Sequence, residues 1–343
     1  MKVRQACVST ATLRDGARRR ESPWALAVSQ ALSFKDTLRD HSPMPRTPPA
    51  VTLVEVSPRD GLQNEKRVLP VEVKVELIDR LGAAGFACIE VTSFVSPTRV
   101  PQLADAAEVM ARLRRLDGVR YPVLVPNMKG YERAIAAGAR AIVVFGSASE
   151  TFSQRNINCS IDESMERFAP VVAAARAAGI HVRGTVSCAL GCPYEGEVAP
   201  TQVAHVAGML DALGVDELSI ADTIGVGTPE KTIAVMEAVL AGVLDATRDG
   251  DSATAAPTVN GHFHDTYGRA IANIGVCLDL GIRSFDASVA GIGGCPFAPG
   301  ATGNVATEDV LALMERRGFG TGVDAMMARS TGEWIRRELS VSR

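Results

Sequence analysis

Two histidines, His262 and His264, flank Phe263 in the segment GHFHDTYG at 261–268. Alternate residues of a strand face the same way, so both imidazoles would point together and Phe263 away from them. The chain has five histidines, so two at one strand end favour a metal pair over two satisfied core histidines. Asp60, brought beside them, would add a hard oxygen donor. Such a mixed nitrogen–oxygen set suits Mg²⁺, Mn²⁺, Co²⁺ or Zn²⁺, and not a thiolate-selecting site. Arg59 reads either as a rim salt bridge or as the cation that stabilises charge developing on a substrate oxygen. Glu90 lies in an apolar run, Ile89-Glu90-Val91, where an unpaired charge is expensive; it must be paired or poised. The segment GIGGCP at 291–296 is rich enough in glycine to approach a ligand closely or to move as a lid. Cys295 within it is expected to be exposed, where a nearby cation would lower its pKa and let it act as acid or base. The alternative is an inert loop cysteine.

These residues recur at the ends of β-branched apolar runs. The runs are Val51–Ser57, Cys88–Thr92, Tyr121–Val125, Ala141–Phe145, His181–Ser187, Glu217–Ala221, Thr258–His264 and Ser284–Ala290. Amphipathic stretches alternate with them: Val71–Ala84, Leu103–Arg115, Tyr131–Ala137, Ile161–Ala178, Thr201–Leu213, Pro229–Leu240, Arg269–Leu280 and Ala306–Arg316. Gly85, Gly138, Gly179, Gly214 and Gly281 stand where helices end, as residues of positive φ do. Eight strands each followed by a helix predict a (β/α)₈ TIM barrel of the α/β class. A doubly wound sheet would need a phosphate-binding glycine fingerprint in its first turn, and SPRDG at 57–61 is not one. In a barrel, chemistry collects at the carboxyl ends of the strands. Those ends hold Arg59 and Asp60, Glu90, Ser187 and Cys188, Asp222, the histidine pair, and the loop with Cys295 and Asn304. A polar insertion at 247–257 is expected to be a solvent loop.

With 343 residues, 46% hydrophobic and 22% charged, the chain has material for a large core. The net charge of −3 gives no argument for nucleic acid, and no stretch has the length of a membrane span. Seven scattered cysteines without a C-x-x-C pair fit a reduced compartment; Cys188 and Cys192 read as packing residues and not as zinc ligands. Residues 1–50 hold nine basic and four acidic side chains, which leaves −8 on the remainder. This segment reads as material upstream of a start at Met44, as a disordered basic arm, or as a transit peptide. The barrel is expected over 51–325, with a helical extension over 326–343. A cytoplasmic location follows, or the mitochondrial matrix if residues 1–50 are a transit peptide.

Several segments together resemble a known family: SPRDGLQNEK (57–66), IEVTSFVSP (89–97), NINCSIDES (156–164), VSCALGCPYEG (186–196), ADTIGVGTP (221–229), GHFHDTYG (261–268) and VAGIGGCPFAPGATGNVATED (289–309). They are similar to the 3-hydroxy-3-methylglutaryl-CoA lyases, metal-dependent barrels related to the isopropylmalate, homocitrate and citramalate synthases. The resemblance implies that Asp60, His262, His264 and Asn304 hold a divalent cation, with Mg²⁺ or Mn²⁺ foremost. It implies that Arg59 stabilises an enolate, that Cys295 is the reactive loop cysteine, and that Glu90 and Asp222 are catalytic or site-organising acids. Glu308 matches a further active-site carboxylate, and Arg59, Gln63 and Glu308 are the substrate-binding candidates. His262 is the first candidate for the base and Asp60 the second. The implied reaction is retro-Claisen cleavage of 3-hydroxy-3-methylglutaryl-CoA to acetyl-CoA and acetoacetate, in leucine degradation. The rivals are a lyase for a bulkier 3-hydroxy-3-alkylglutaryl-CoA, a condensing synthase, whose relatives usually carry a large C-terminal domain, and a barrel that binds without turnover. The implied partner is an acyl-CoA, with Lys66, Arg99 and Arg155 as candidates for the nucleotide phosphates, and the assembly a homodimer or larger.

Overall fold

The structure is a computed structural model that describes residues 50–248, 256–293 and 303–341. Its strands are β1 (Thr52–Glu55), β2 (Cys88–Ile89), β3 (Thr92–Ser93), β4 (Val123–Leu124), β5 (Ala141–Ser147), β6 (His181–Ser187), β7 (Glu217–Asp222), β8 (Thr258–Phe263) and β9 (Ser284–Ala287). All neighbouring pairs are parallel, in the order β2-β1-β9-β8-β7-β6-β5-β4-β3. β2 and β3 are two pieces of the second expected run, parted at Glu90 and Val91. One piece pairs with β1 and the other with β4, so the ring closes and the barrel has eight strand positions.

Helices alternate with the strands: α1 (Val71–Ala83), α2 (Ala106–Arg112), α3 (Met128–Ala136), α4 (Glu150–Ile157), α5 (Ile161–Ala177), α6 (Pro200–Leu213), α7 (Pro229–Arg248), α8 (Ala270–Asp279) and α9 (Thr307–Arg317). A final helix, α10 (Ala325–Ser340), packs on α1, with the Arg80 guanidinium 4.6 Å from the Trp334 ring centre. The five glycines expected to close helices all have positive φ.

Period-2 alternation sorts the side chains. Val182, Val186, Leu218, Ile220 and Phe285 join the buried layer shared with Phe168, Leu210 and Met236 of the helices. Their neighbours Arg183, Glu217, Ser219, Asn260, His262, Ser284 and Asp286 are buried too, on the inward face. The barrel interior is therefore polar where many barrels hold aliphatic layers.

Several boundaries differ from expectation, each for a local reason. The first run stops at Glu55, and Ser57–Gly61 forms a π-helical turn. The amides of Arg59, Asp60 and Gly61 all turn onto the Val56 carbonyl, at 3.1, 2.8 and 3.1 Å. Pro122 offers no amide, and the third strand shrinks to Val123–Leu124. The eighth stops at Ala287, before a 3₁₀ turn in which Ala290 has φ +58°. α7 runs on to Arg248, so the first two residues of the expected 247–257 loop are helical, and 249–255 lie outside the described residues. The second helix is shorter than expected, with a 3₁₀ turn at Pro101–Leu103 before it. α4 was not expected; the Ser149 hydroxyl caps its start and Asn158, left-handed at φ +54°, ends it.

Candidate active site and cation centre

The π turn after β1 and the end of β8 meet over the barrel mouth. Asp60, His262 and His264 each offer one ligand atom, and these atoms lie within 4.8 Å of one another. The rings of His262 and His264 are 5.2 Å apart, and Nε2 of His264 is 3.8 Å from Asp60 Oδ2. Phe263 is buried on the opposite face, as alternation requires. Residues 303–305 return along the end of β8: Asp265 N donates to Gly303 O (3.0 Å) and Val305 N to Phe263 O (3.0 Å). That places the Asn304 amide 2.9 Å from Asp60 Oδ2. Close backbone packing makes this meeting possible. A Cβ on Gly293, at φ +115°, would come within 2.8 Å of the Asn304 amide and 3.1 Å of Gly61 Cα.

The donor set fits a hard divalent cation. It joins a carboxylate and an amide to two imidazoles, and a rotated Asn304 amide would offer its oxygen. Nδ1 of His264 is buried and has no hydrogen-bond partner among the described residues. Among the described residues this is the cluster of cation-binding geometry, and Cys188 and Cys192 are not part of it. Both those cysteines pack against Phe152, with Cys192 Sγ 3.0 Å from the Ser149 hydroxyl.

Arg59 sits at the centre of the electrostatics. Its Nε and Nη2 meet the Glu90 oxygens at 2.6 and 3.1 Å, and its Nη1 meets Asp60. Glu90 is thus the paired carboxylate that its apolar run demanded. Burial works against ionised Asp60, yet Arg59 and the two histidines hold its carboxyl well below the usual range. Burial likewise works against protonated His262, but its bond to Asp286, with the charges of Asp286 and Asp60, raises its pKa.

A cavity of about 560 Å³ opens beside this centre, lined by Arg59, Gln63, Glu90 and the histidines. Of the basic residues expected at the nucleotide phosphates, Arg99 and Arg155 line it and Lys66 does not; Arg167 also does. Two expected acids stand elsewhere. Asp222 is buried and turns its oxygens onto the amides of Val226 (3.1 Å) and Gly227 (2.9 Å), while its carbonyl meets the His264 amide at 3.3 Å. Glu308 accepts from the Ala290 amide at 3.0 and 2.9 Å. Burial raises the pKa of both. Each holds a segment next to the site and does not line the cavity. Cys295 lies outside the described residues.

Some organising charges went unnoticed in the sequence. Glu55, fully buried, accepts from Ser57 N (3.0 Å), Val289 N (3.1 Å) and Thr307 Oγ1 (2.6 Å). It ties the turn bearing Asp60 to both segments that flank the glycine-rich loop. Arg183 and Asp286 form a buried ion pair at 2.6 Å under His262. The signal was present: each is a charge inside an apolar strand run, as Glu90 is.

Comparison with known proteins follows the same lines. The HMGL-like family model matches residues 50–335. A cytoplasmic 3-hydroxy-3-methylglutaryl-CoA lyase of Danio rerio is 50% identical over 92% of this chain and 94% of its own length. A mitochondrial hydroxymethylglutaryl-CoA lyase of Gallus gallus is 53% identical over 84% of this chain and 93% of its own. The crystal structure of the Pseudomonas aeruginosa hydroxymethylglutaryl-CoA lyase superposes with a TM-score of 0.80 at 52% identity, covering 86% of this chain and 95% of that one. An HMG-CoA lyase from Acinetobacter baumannii, solved with coenzyme A and 3-methylmalate, gives 0.77 at 33% identity, covering 84% and 91%. The chain belongs to the HMGL-like family, and within it to the hydroxymethylglutaryl-CoA lyases.

Proposed function

We propose that this protein cleaves 3-hydroxy-3-methylglutaryl-CoA between C2 and C3 with a divalent cation, Mg²⁺ or Mn²⁺, releasing acetyl-CoA and acetoacetate. The observation that carries the reading is the convergence of Asp60, His262, His264 and Asn304 beside Arg59. Those four residues would hold the cation, which when bound acts as a Lewis acid on the C3 hydroxyl. His262 spends Nδ1 on Asp286, 3.0 Å away, and keeps one nitrogen for the site. A single nitrogen does not bind a cation and take a proton at once, so we assign the hydroxyl proton to the Asp60 oxygen that the cation would leave free, even though Arg59 holds that carboxyl acidic. This reverses the order of candidates expected from the sequence. The O–H pair becomes the C3 carbonyl as the C2–C3 pair moves onto the thioester as an enolate. Arg59, held by Glu90, faces that developing charge. A proton delivered to C2 completes the acetyl group, with Cys295 as its assigned source. Asp222 and Glu308 serve by holding loops, and Gln63, Arg99 and Arg155 by lining the cavity for the acyl-CoA.

The proposal extends to a place in leucine degradation, to a cytoplasmic location or, if residues 1–50 are a transit peptide, the mitochondrial matrix, and to a homodimer or larger assembly. The test is acetoacetate release from 3-hydroxy-3-methylglutaryl-CoA by chelator-treated enzyme, before and after Mg²⁺ or Mn²⁺ is restored. Product is expected only after restoration. No product with either ion would leave a barrel that binds without turnover. Turnover with longer C3 substituents, measured in parallel, separates the bulkier-substrate reading.

A further inference from the structure

Beneath the cation centre lies a polar network of which the reaction described so far uses a single bond, that of His262 to Asp286. Asp286 on β9 is buried, and its Oδ2 faces His262 Nδ1 at 3.0 Å. Its Oδ1 accepts from Arg183 Nη2 on β6 (2.6 Å) and from Asn260 Nδ2 on β8 (3.0 Å). Asn260 is held in turn: its Nδ2 reaches the Ser219 hydroxyl at 3.2 Å and its Oδ1 accepts from Ser284 Oγ at 2.8 Å. Arg183 is anchored on its far side by Glu217, 3.3 Å from Nε. Side chains from four strands, β6, β7, β8 and β9, thus build the network around the carboxylate behind one imidazole. Neutral imidazole has one N–H, and the hydrogen bond made by one nitrogen decides which nitrogen is left with its lone pair.

We propose that Asp286, backed by Arg183 and Asn260, is a positioning residue that holds the His262 proton on Nδ1 and turns Nε2 into the cation centre. Asp286 Oδ1 already accepts from Arg183 and Asn260, and its Oδ2 stands 3.0 Å from Nδ1 in the place of an acceptor, so Nδ1 is the donor. Asn260 fixes the plane of the carboxylate and with it the tilt of the ring. Among the described residues His264 has no such support, since its Nδ1 meets no hydrogen-bond partner. The two imidazoles are therefore unequal, with His262 the preorganised ligand. The inference rests on the cation role proposed above for His262, and not on the identity of the substrate.

Mn²⁺ binding to the full chain, by titration calorimetry and electron paramagnetic resonance, tests it. Asp286→Asn is expected to weaken Mn²⁺ binding by roughly 10- to 100-fold, the usual cost of losing such a support, while circular dichroism stays native. Asp286→Glu should recover part of the loss, which a purely structural role would not require. Binding by a folded Asp286→Asn variant equal to that of the unaltered protein overturns the proposal, whatever the lyase assay gives. If Asp286→Asn does not fold, the unaltered protein decides. With Mg²⁺ bound and its histidines ¹⁵N-labelled, His262 should show the Nδ1–H tautomer, and the Nε2–H tautomer overturns the proposal. Weakened Mn²⁺ binding in the variant, with no cleavage of 3-hydroxy-3-methylglutaryl-CoA by the unaltered protein, supports this inference and removes the lyase reading alone.

Discussion

Arg59 and Glu55 show how a single charge gains its role from what surrounds it. Arg59 is clamped by two carboxylates, so its guanidinium is in place before any enolate forms. Arg59→Gln keeps the turn and the cation ligands but loses the charge. Its kcat should fall by ~10²–10³ with Mn²⁺ binding retained, as when one preorganised oxyanion partner is removed. Steady-state assays beside a Mn²⁺ titration check this, and near-normal turnover would refute the assigned role. Glu55 offers a different measurement. Burial raises its carboxyl from 4.5 to about 7, although its hydrogen-bond donors oppose the rise. The unfolded chain gives up this proton near 4.5 and the folded protein holds it to about 7, so folding takes up a proton between those values. The contribution to stability is complete below that window and is lost as pH climbs through it, by roughly 3 kcal/mol. Urea denaturation across the window should show a steeper decline for the native protein than for Glu55→Gln. Parallel curves would mean that Glu55 is not protonated in the fold.

The connecting segments do as much as the strands. The π turn at Ser57–Gly61 delivers Arg59 and Asp60, and the return of residues 303–305 along β8 delivers Asn304. Neither was legible as an element. A π turn has no sequence period, and the return segment has its partner some forty residues back in the chain. The strand and helix alternation was legible, since a closed parallel barrel needs apolar runs on one face and amphipathic helices outside. Gly85 marks a joint in this framework, where α1 closes against the segment leading to α10. Its φ is +92°, and a Cβ there would stand 2.5 Å from the Gly322 carbonyl. Gly85→Ala should cost about 1–3 kcal/mol in urea denaturation. The kcat should hold, because this joint lies at the amino ends of the strands, away from the cation centre. A drop in kcat with stability intact would show that the site feels this end of the barrel.

The barrel closes on residues from Ala50 onward, where Val51 N donates to Gly320 O at 2.9 Å. Every described side chain assigned to the site falls between Glu55 and Glu308, and the family match starts at residue 50. A chain beginning at Met44 is therefore expected to fold, bind Mn²⁺ and cleave at the rate of the longer one. Expression of both and comparison of kcat and melting temperature decides the matter. Loss of activity on shortening would give residues 1–43 a part in the enzyme. The net negative charge also has a local answer, since Arg99, Arg155 and Arg167 gather at the cavity.

The eightfold order of apolar strand runs and amphipathic helices was enough to predict the barrel, because hydrophobic period follows from which faces are buried. The pairing of His262 with His264 and the demand that Glu90 find a partner were also local, one from strand geometry and one from the cost of a buried charge. That His262 turns Nδ1 to Asp286, that Glu308 holds the Ala290 amide, and that Glu55 ties the π turn to Val289 and Thr307 are properties of contacts between distant segments. Hydrogen bonds of about 3 Å act only once the ring of strands has closed, and linear spacing along the chain carries no record of them.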